Sequence, residues 1–118
     1  VPVPTAPAQV VARGLDLTAA LARVAARRLR TAGVPVRCWT GLALHRRPLD
    51  QSGLGRSDRW ANLAGAVGVH GEPPAGRIVV VDDIVTTGAT LGEAVRACAD
   101  AGRVPAAGAT VAATARRT

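Results

Sequence analysis

A chain of 118 residues has room for one hydrophobic core and no separate second lobe. Its 48% apolar content includes no Phe, Tyr or Met and only Trp39 and Trp60, so the core must be built from Val, Leu and Ala. The formal charge is +7 and all 15 basic residues are Arg, but without the basic-aromatic interleaving of single-strand binders this is better read as coding bias than as a nucleic-acid surface. Cys38 and Cys98 are isolated, which excludes a zinc site of ordinary spacing and leaves both as small core residues. No stretch has the length of a membrane span and no signal peptide is recognisable, so the expected location is cytoplasmic.

The opening "VPVPTAP" is extended or turn-like, because prolines at positions 2, 4 and 7 disfavour a helix over residues 1–14. It reads as the middle of a motif, with upstream sequence expected. Leu17, Leu21, Val24, Ala25 and Leu29 then share one helical face. Asp16 is placed as its N-cap, and Gly33 with Pro35 ends it. "VPVRCW", 34–39, predicts the next strand. A long Arg-bearing segment follows from Thr40 to Arg56, with turn formers at Pro48, Gly53 and Gly55 and a helical turn over 57–63. Loops of that length in small domains are lids or binding loops. "AVGVHG" predicts another strand.

The centre of the sequence is "RIVVVDDIVTTGATLGEA", 77–94. Ile78 to Val81 lack polar alternation and suit a strand buried on both faces of a parallel sheet, ending at Asp82 and Asp83. Two neighbouring carboxylates are costly to bury unpartnered, so they must face a ligand or a metal. "TTGAT" joins this strand to a helix carrying Leu91, Ala94, Val95 and Cys98 on one face and closed by Gly102. Such a turn offers unpaired N–H groups and positive partial charge to an anion. Carboxylates for vicinal hydroxyls beside a cradle for a phosphate together fit a sugar phosphate. A last strand is expected over 106–113. The order of elements predicts an α/β fold with a doubly wound parallel sheet.

"VVVDDIVTTGAT" resembles the ribose-5-phosphate fingerprint of the type I phosphoribosyltransferase superfamily. "ARGLDLTAALA" and "QSGLGRSDRWANLAGA" are similar to segments of ComF-type competence proteins, with Gln51, Leu54, Arg59, Asn62, Gly65 and Ala66 in register. Leu15 and Val67 stand where that family has Phe, Asp16-Leu17 where it has Asn-Gln, and Pro48 where it has Thr. The Asn-Gln change removes polar groups that would orient the loop near Arg13.

The resemblance implies a phosphoribosyltransferase-like domain over residues 1–118, a C-terminal portion lacking the family's cysteine-bearing N-terminal segment. It implies that Asp82 and Asp83 hold the ribose hydroxyls of phosphoribosyl pyrophosphate (PRPP), and that Thr86, Thr87, Gly88, Ala89 and Thr90 wrap its 5'-phosphate. Thr5 and Ala6 fall in the pyrophosphate loop, with Arg13 beside it and Arg46, Arg47 and Arg56 on a lid. Mg2+ enters with PRPP, and no direct side-chain metal ligand is assigned. The reaction would be ribose 5-phosphate transfer to a nitrogen acceptor. The family's link to natural competence and DNA uptake makes competence-machinery proteins expected partners. Two other readings stand beside this one: a non-catalytic regulatory or adaptor module that keeps the pocket, and a single-stranded DNA-binding protein supported by charge alone. His45 and His70 are read as structural or exposed, Glu93 and Asp100 as helix-surface charges, and Arg59 and Asn62 as braces of the long loop.

Overall fold

The computed structural model describes residues 1–46 and 55–115. Its elements are α1 (Pro7–Arg13), α2 (Leu17–Thr31), β1 (Leu42–Leu44), α3 (Arg56–Leu63), β2 (Val67–Val69), β3 (Val79–Val85), α4 (Ala89–Asp100) and β4 (Ala107–Ala113). Strands β3 and β4 pair in parallel, from Val79 opposite Ala107 to Val85 opposite Ala113. On the other edge of β3 runs the start of the chain. Pro2 bridges Val81 in parallel, the Val3 N–H donates to the Val81 carbonyl at 2.9 Å, and the Val81 N–H donates to the Val1 carbonyl at 2.8 Å. Strands β1 and β2 form a separate antiparallel ribbon. The fold is thus mixed α/β, with one small parallel and one small antiparallel sheet among the described residues.

Helix α2 begins as its sequence dictates: the Asp16 carboxylate accepts from the Ala19 N–H at 3.1 Å, satisfying one of the donors left open in the first turn. Its Thr18, Ala19, Ala22 and Ala26 are buried. The core joins Val3, Leu42, Val67, Ile78 and Val80 to Ala94, Ala97 and Cys98 of α4. Val80 and Cys98 are its largest fully buried side chains, so close approach of backbones replaces the bulk that aromatic residues would supply. Burial pushes the Cys98 thiol up from its ordinary value and keeps it in the unreactive thiol form. Cys38, expected in the core, is only half-buried.

Three local expectations are corrected. A helix, α1, forms inside the proline-rich opening, because Pro7 occupies its first turn, where no N–H is needed and the ring presets φ; Gly14 at φ +76° ends it. Residues 34–39 are not a strand. Pro35 cannot donate to a ladder, Trp39 lies across Gly41, and pairing starts only at Leu42 opposite Val69. Strand β3 does not stop at the acids, nor is it buried on both faces. It alternates, with Val80 and Asp82 buried while Val79, Val81 and Asp83 beside them are more exposed, and near its end Ile84 is exposed.

Glu93, read from the sequence as a surface charge, is buried and fastens α4 to β2. Its carboxylate accepts from the Val67 N–H at 3.0 Å and from Arg96 Nε at 2.8 Å, and the Arg96 guanidinium also donates to the Val67 carbonyl at 2.7 Å. Burial alone would push the carboxyl up, but the hydrogen bonds from Arg96 and Val67 outweigh it and hold Glu93 below its ordinary range. Arg96 is partly exposed, so water screens part of the ion pair. Glu93→Ala leaves the Val67 N–H without its partner and should cost about 1–3 kcal/mol in urea unfolding, with Glu93→Gln costing less. Because the folded-state value is lowered, the stability Glu93 contributes is complete at neutral pH and is lost as pH falls. The wild-type advantage over Glu93→Gln should shrink below about pH 4.

Candidate functional site

The alternation of β3 decides where its two acids go. Asp82 follows Val80 on the core-facing side and is 7% exposed, whereas Asp83 turns to the opposite side. Each carboxylate folds back onto the next amide: Asp82 Oδ1 accepts from the Asp83 N–H at 2.8 Å and Asp83 Oδ1 from the Ile84 N–H at 2.7 Å. Arg13, at the last turn of α1, brings its guanidinium to 3.8 Å from Asp83 Oδ2. A cavity of about 730 Å³ opens at this strand tip, walled by residues 4–6, α1, α3 and the turn into α4.

That turn is built for close approach. Gly88 has φ +82°, a left-handed conformation that any Cβ would strain, and the helix it starts has no side-chain N-cap. The Thr87 hydroxyl accepts from the Ala89 N–H at 3.3 Å and tightens the loop. Ala89 itself is buried. On the facing wall the Thr5 hydroxyl donates to Asp16 Oδ1 at 3.0 Å, tying the proline segment to the cap of α2.

The cavity brings together Thr5, Ala6, Arg13, Asp82, Asp83 and the whole turn Thr86–Thr90. Arg46 is placed elsewhere. Its guanidinium donates to the Asn62 and Ala64 carbonyls at 2.7 Å each, closing the C-terminus of α3, and it lines a second cavity of about 490 Å³ that shares the wall of residues 3–6. Arg47 and the side chain of Arg56 lie outside the described residues, as does most of the lid expected over 46–56. His45 and His70 meet edge to face on the β1–β2 ribbon, with ring centroids 5.5 Å apart. Neither lines the larger cavity.

Sequence reasoning missed Glu93 and Thr18 as cavity-wall residues, and missed how Arg59 and Trp60 are used. Glu93 lies four residues from both Ala89 and Ala97, a spacing that marks the buried face of α4. Arg59 donates to the Thr86 hydroxyl at 3.2 Å, and the Trp60 indole covers Gly92. Among the described residues no group of three or more His, Cys, Asp or Glu gathers as a metal site, and no helix is long and apolar enough to cross a membrane. The chain matches no protein-family model, no curated protein and no solved structure.

Burial, reinforced by the neighbouring Asp83 carboxylate, pushes the Asp82 carboxyl up from 3.8 to about 6. The folded chain therefore holds this proton more tightly than the unfolded one does. Its favourable contribution is full below about pH 4 and is lost as pH rises through about 6. Asp82→Asn should consequently melt higher than wild type at pH 7. Thermal unfolding followed from pH 4 to 7 should fall with pH in the wild type and flatten in the variant.

Proposed function

We propose that this chain is a phosphoribosyltransferase-like domain of the ComF type, cytoplasmic, whose cavity binds PRPP as its magnesium complex. The carrying observation is the single cavity shared by two carboxylates on a strand tip and a Thr-Thr-Gly-Ala-Thr turn with a left-handed glycine entering a helix. Carboxylates accept from vicinal ribose hydroxyls, and the turn donates N–H and O–H groups to a 5'-phosphate. Arg13 beside Asp83 supplies a cation where the pyrophosphate would project. The parallel arrangement of residues 1–3, β3 and β4 is what a doubly wound sheet of the type I family would present at its centre. In this reading residues 1–118 form one phosphoribosyltransferase-like domain.

In this reading magnesium would enter as a hydrated ion carried by the ligand's own oxygens, with Asp82 and Asp83 holding the ribose beside it rather than the metal directly. When bound, that ion neutralises charge on the departing pyrophosphate. The protein's own contribution is positioning: the acids fix the ribose, the turn fixes the phosphate, and the walls of residues 4–6 and α1 limit access of water. In transfer, the bond from ribose C1 to pyrophosphate oxygen breaks while a nitrogen acceptor bonds to C1.

A second reading, a non-catalytic PRPP-responsive module working with competence-machinery proteins, is favoured by one observation. Apart from the two acids assigned to ribose, the carboxylate lining the cavity is Glu93, which is committed to Val67 and Arg96 and so is poorly placed to take a proton from an acceptor. Pyrophosphate release with candidate bases separates the two readings. Direct single-stranded DNA binding, the third, would appear as affinity that falls steeply with salt.

Titration calorimetry should show PRPP binding that strengthens with Mg2+. Asp82→Asn combined with Asp83→Asn should abolish it while circular dichroism remains native, and retained affinity in the folded double variant would remove the reading. Gly88→Val should weaken ribose 5-phosphate and PRPP alike, because at φ +82° a Cβ adds strain of roughly 1–2 kcal/mol and crowds the phosphate seat. Unimpaired ribose 5-phosphate binding by a folded Gly88→Val would show that the turn is not the phosphate seat.

A further inference from the structure

Helix α3 is fastened to the candidate phosphate turn at two points. The Arg59 guanidinium donates to the Thr86 hydroxyl at 3.2 Å and lines the same cavity as the turn. One residue on, the Trp60 indole lies over Gly92 in the first turns of α4 so closely that a Cβ there would overlap the ring, and it also approaches Gly88. Glycine inside a helix is unfavourable relative to alanine by roughly 1 kcal/mol, and no turn or left-handed φ at position 92 calls for it. What requires glycine at 92 is the indole. At the far end of α3, Arg46 closes the last carbonyls, so the helix is held along its length.

A hydroxyl that accepts from Arg59 must aim its own proton elsewhere, and the Thr86 side chain lines the cavity. Resting on the reading that the turn takes a 5'-phosphate, we infer that Arg59 is a positioning residue for the anion. It orients the Thr86 hydroxyl to donate, adds a guanidinium charge to the seat, and is kept in place by the packing of Trp60 on Gly92. Helix α3 is then a wall of the phosphate seat, and its docking and phosphate binding are one equilibrium.

The test uses ribose 5-phosphate, which lacks the pyrophosphate and so reports this seat alone, titrated calorimetrically against the whole chain. Arg59→Ala should bind it roughly ten- to a hundredfold more weakly, the range for a lost charge-assisted hydrogen bond. Arg59→Lys keeps the charge without the fork and should recover part of the loss, a rescue that a merely structural role would not produce. Gly92→Ala, which favours helix α4 by propensity but displaces the indole, should bind several-fold more weakly while remaining folded. In a Trp39→Phe background, Trp60 emission should shift as ligand saturates. Wild-type affinity in Arg59→Ala, equal losses in the Ala and Lys variants, or unchanged binding by Gly92→Ala would each overturn the inference while leaving the sugar-phosphate reading intact. Failure of the wild-type chain to bind ribose 5-phosphate at millimolar concentration would overturn both.

Discussion

The two-residue period of β3 is the constraint to which the rest of the molecule answers. Val80 is fully buried in the cluster it shares with Ala94, Ala97 and Cys98 of α4, so its face of the strand is the core face. The next position on that face is Asp82, so a carboxylate is carried to the end of the core where water is scarce. Its backbone neighbour Asp83 is thrown to the other side, toward Arg13. The acids therefore differ in character: one is desolvated and holds its proton to about pH 6, and the other is paired with a cation. A site that uses both has one group suited to hydrogen bonding in either protonation state and one set beside a guanidinium.

Much of this was legible wherever local chemistry and tertiary packing agree. Helix α2 carries its cap and its stop within twenty residues, and α4 carries its stripe and the glycine at its start; both lie where the pattern puts them, but α2 buries Thr18, Ala19, Ala22 and Ala26 and leaves Val24 and Leu29 of the expected stripe exposed. The apolar run before the acids likewise announces a strand. The strand's far boundary was not legible, since carboxylates at 82 and 83 look like an end while their ladder partners, Thr110 onward, come from a segment that gives no sign of its register. Residues 34–39 are rich in β-branched side chains, yet pairing depends on a neighbour, and β2 offers its partner surface to Leu42–Leu44 instead. Of the doubly wound parallel sheet expected from the order of elements, the described residues show the start of the chain and β4 parallel to β3, beside a separate antiparallel ribbon.

The site divides in the same way. Asp82, Asp83 and the turn to Thr90 are contiguous in sequence, so one motif places them together. Glu93 and Arg59 line the cavity and Trp60 packs behind its turn, and each is explained by a contact no local pattern encodes: an amide of β2, a threonine hydroxyl, a glycine in α4. Arg46 shows the converse. A solitary arginine in a long loop suggests an anion, but two carbonyls at a helix end satisfy it equally well.

The seating of residues 1–3 on β3 has a consequence for how the molecule is assembled in time. Val1 and Val79 meet across 78 positions of chain, in parallel, so this edge cannot form until nearly everything between has been synthesised and brought round. Such a contact gains its energy late in folding and is among the first to be released in partial opening. The proline segment that walls the cavity is continuous with it. An excursion that freed the Val3 amide from Val81 would unlatch the entrance to the site without melting α4 or the β3–β4 pair, and amide exchange at Val3 would time it.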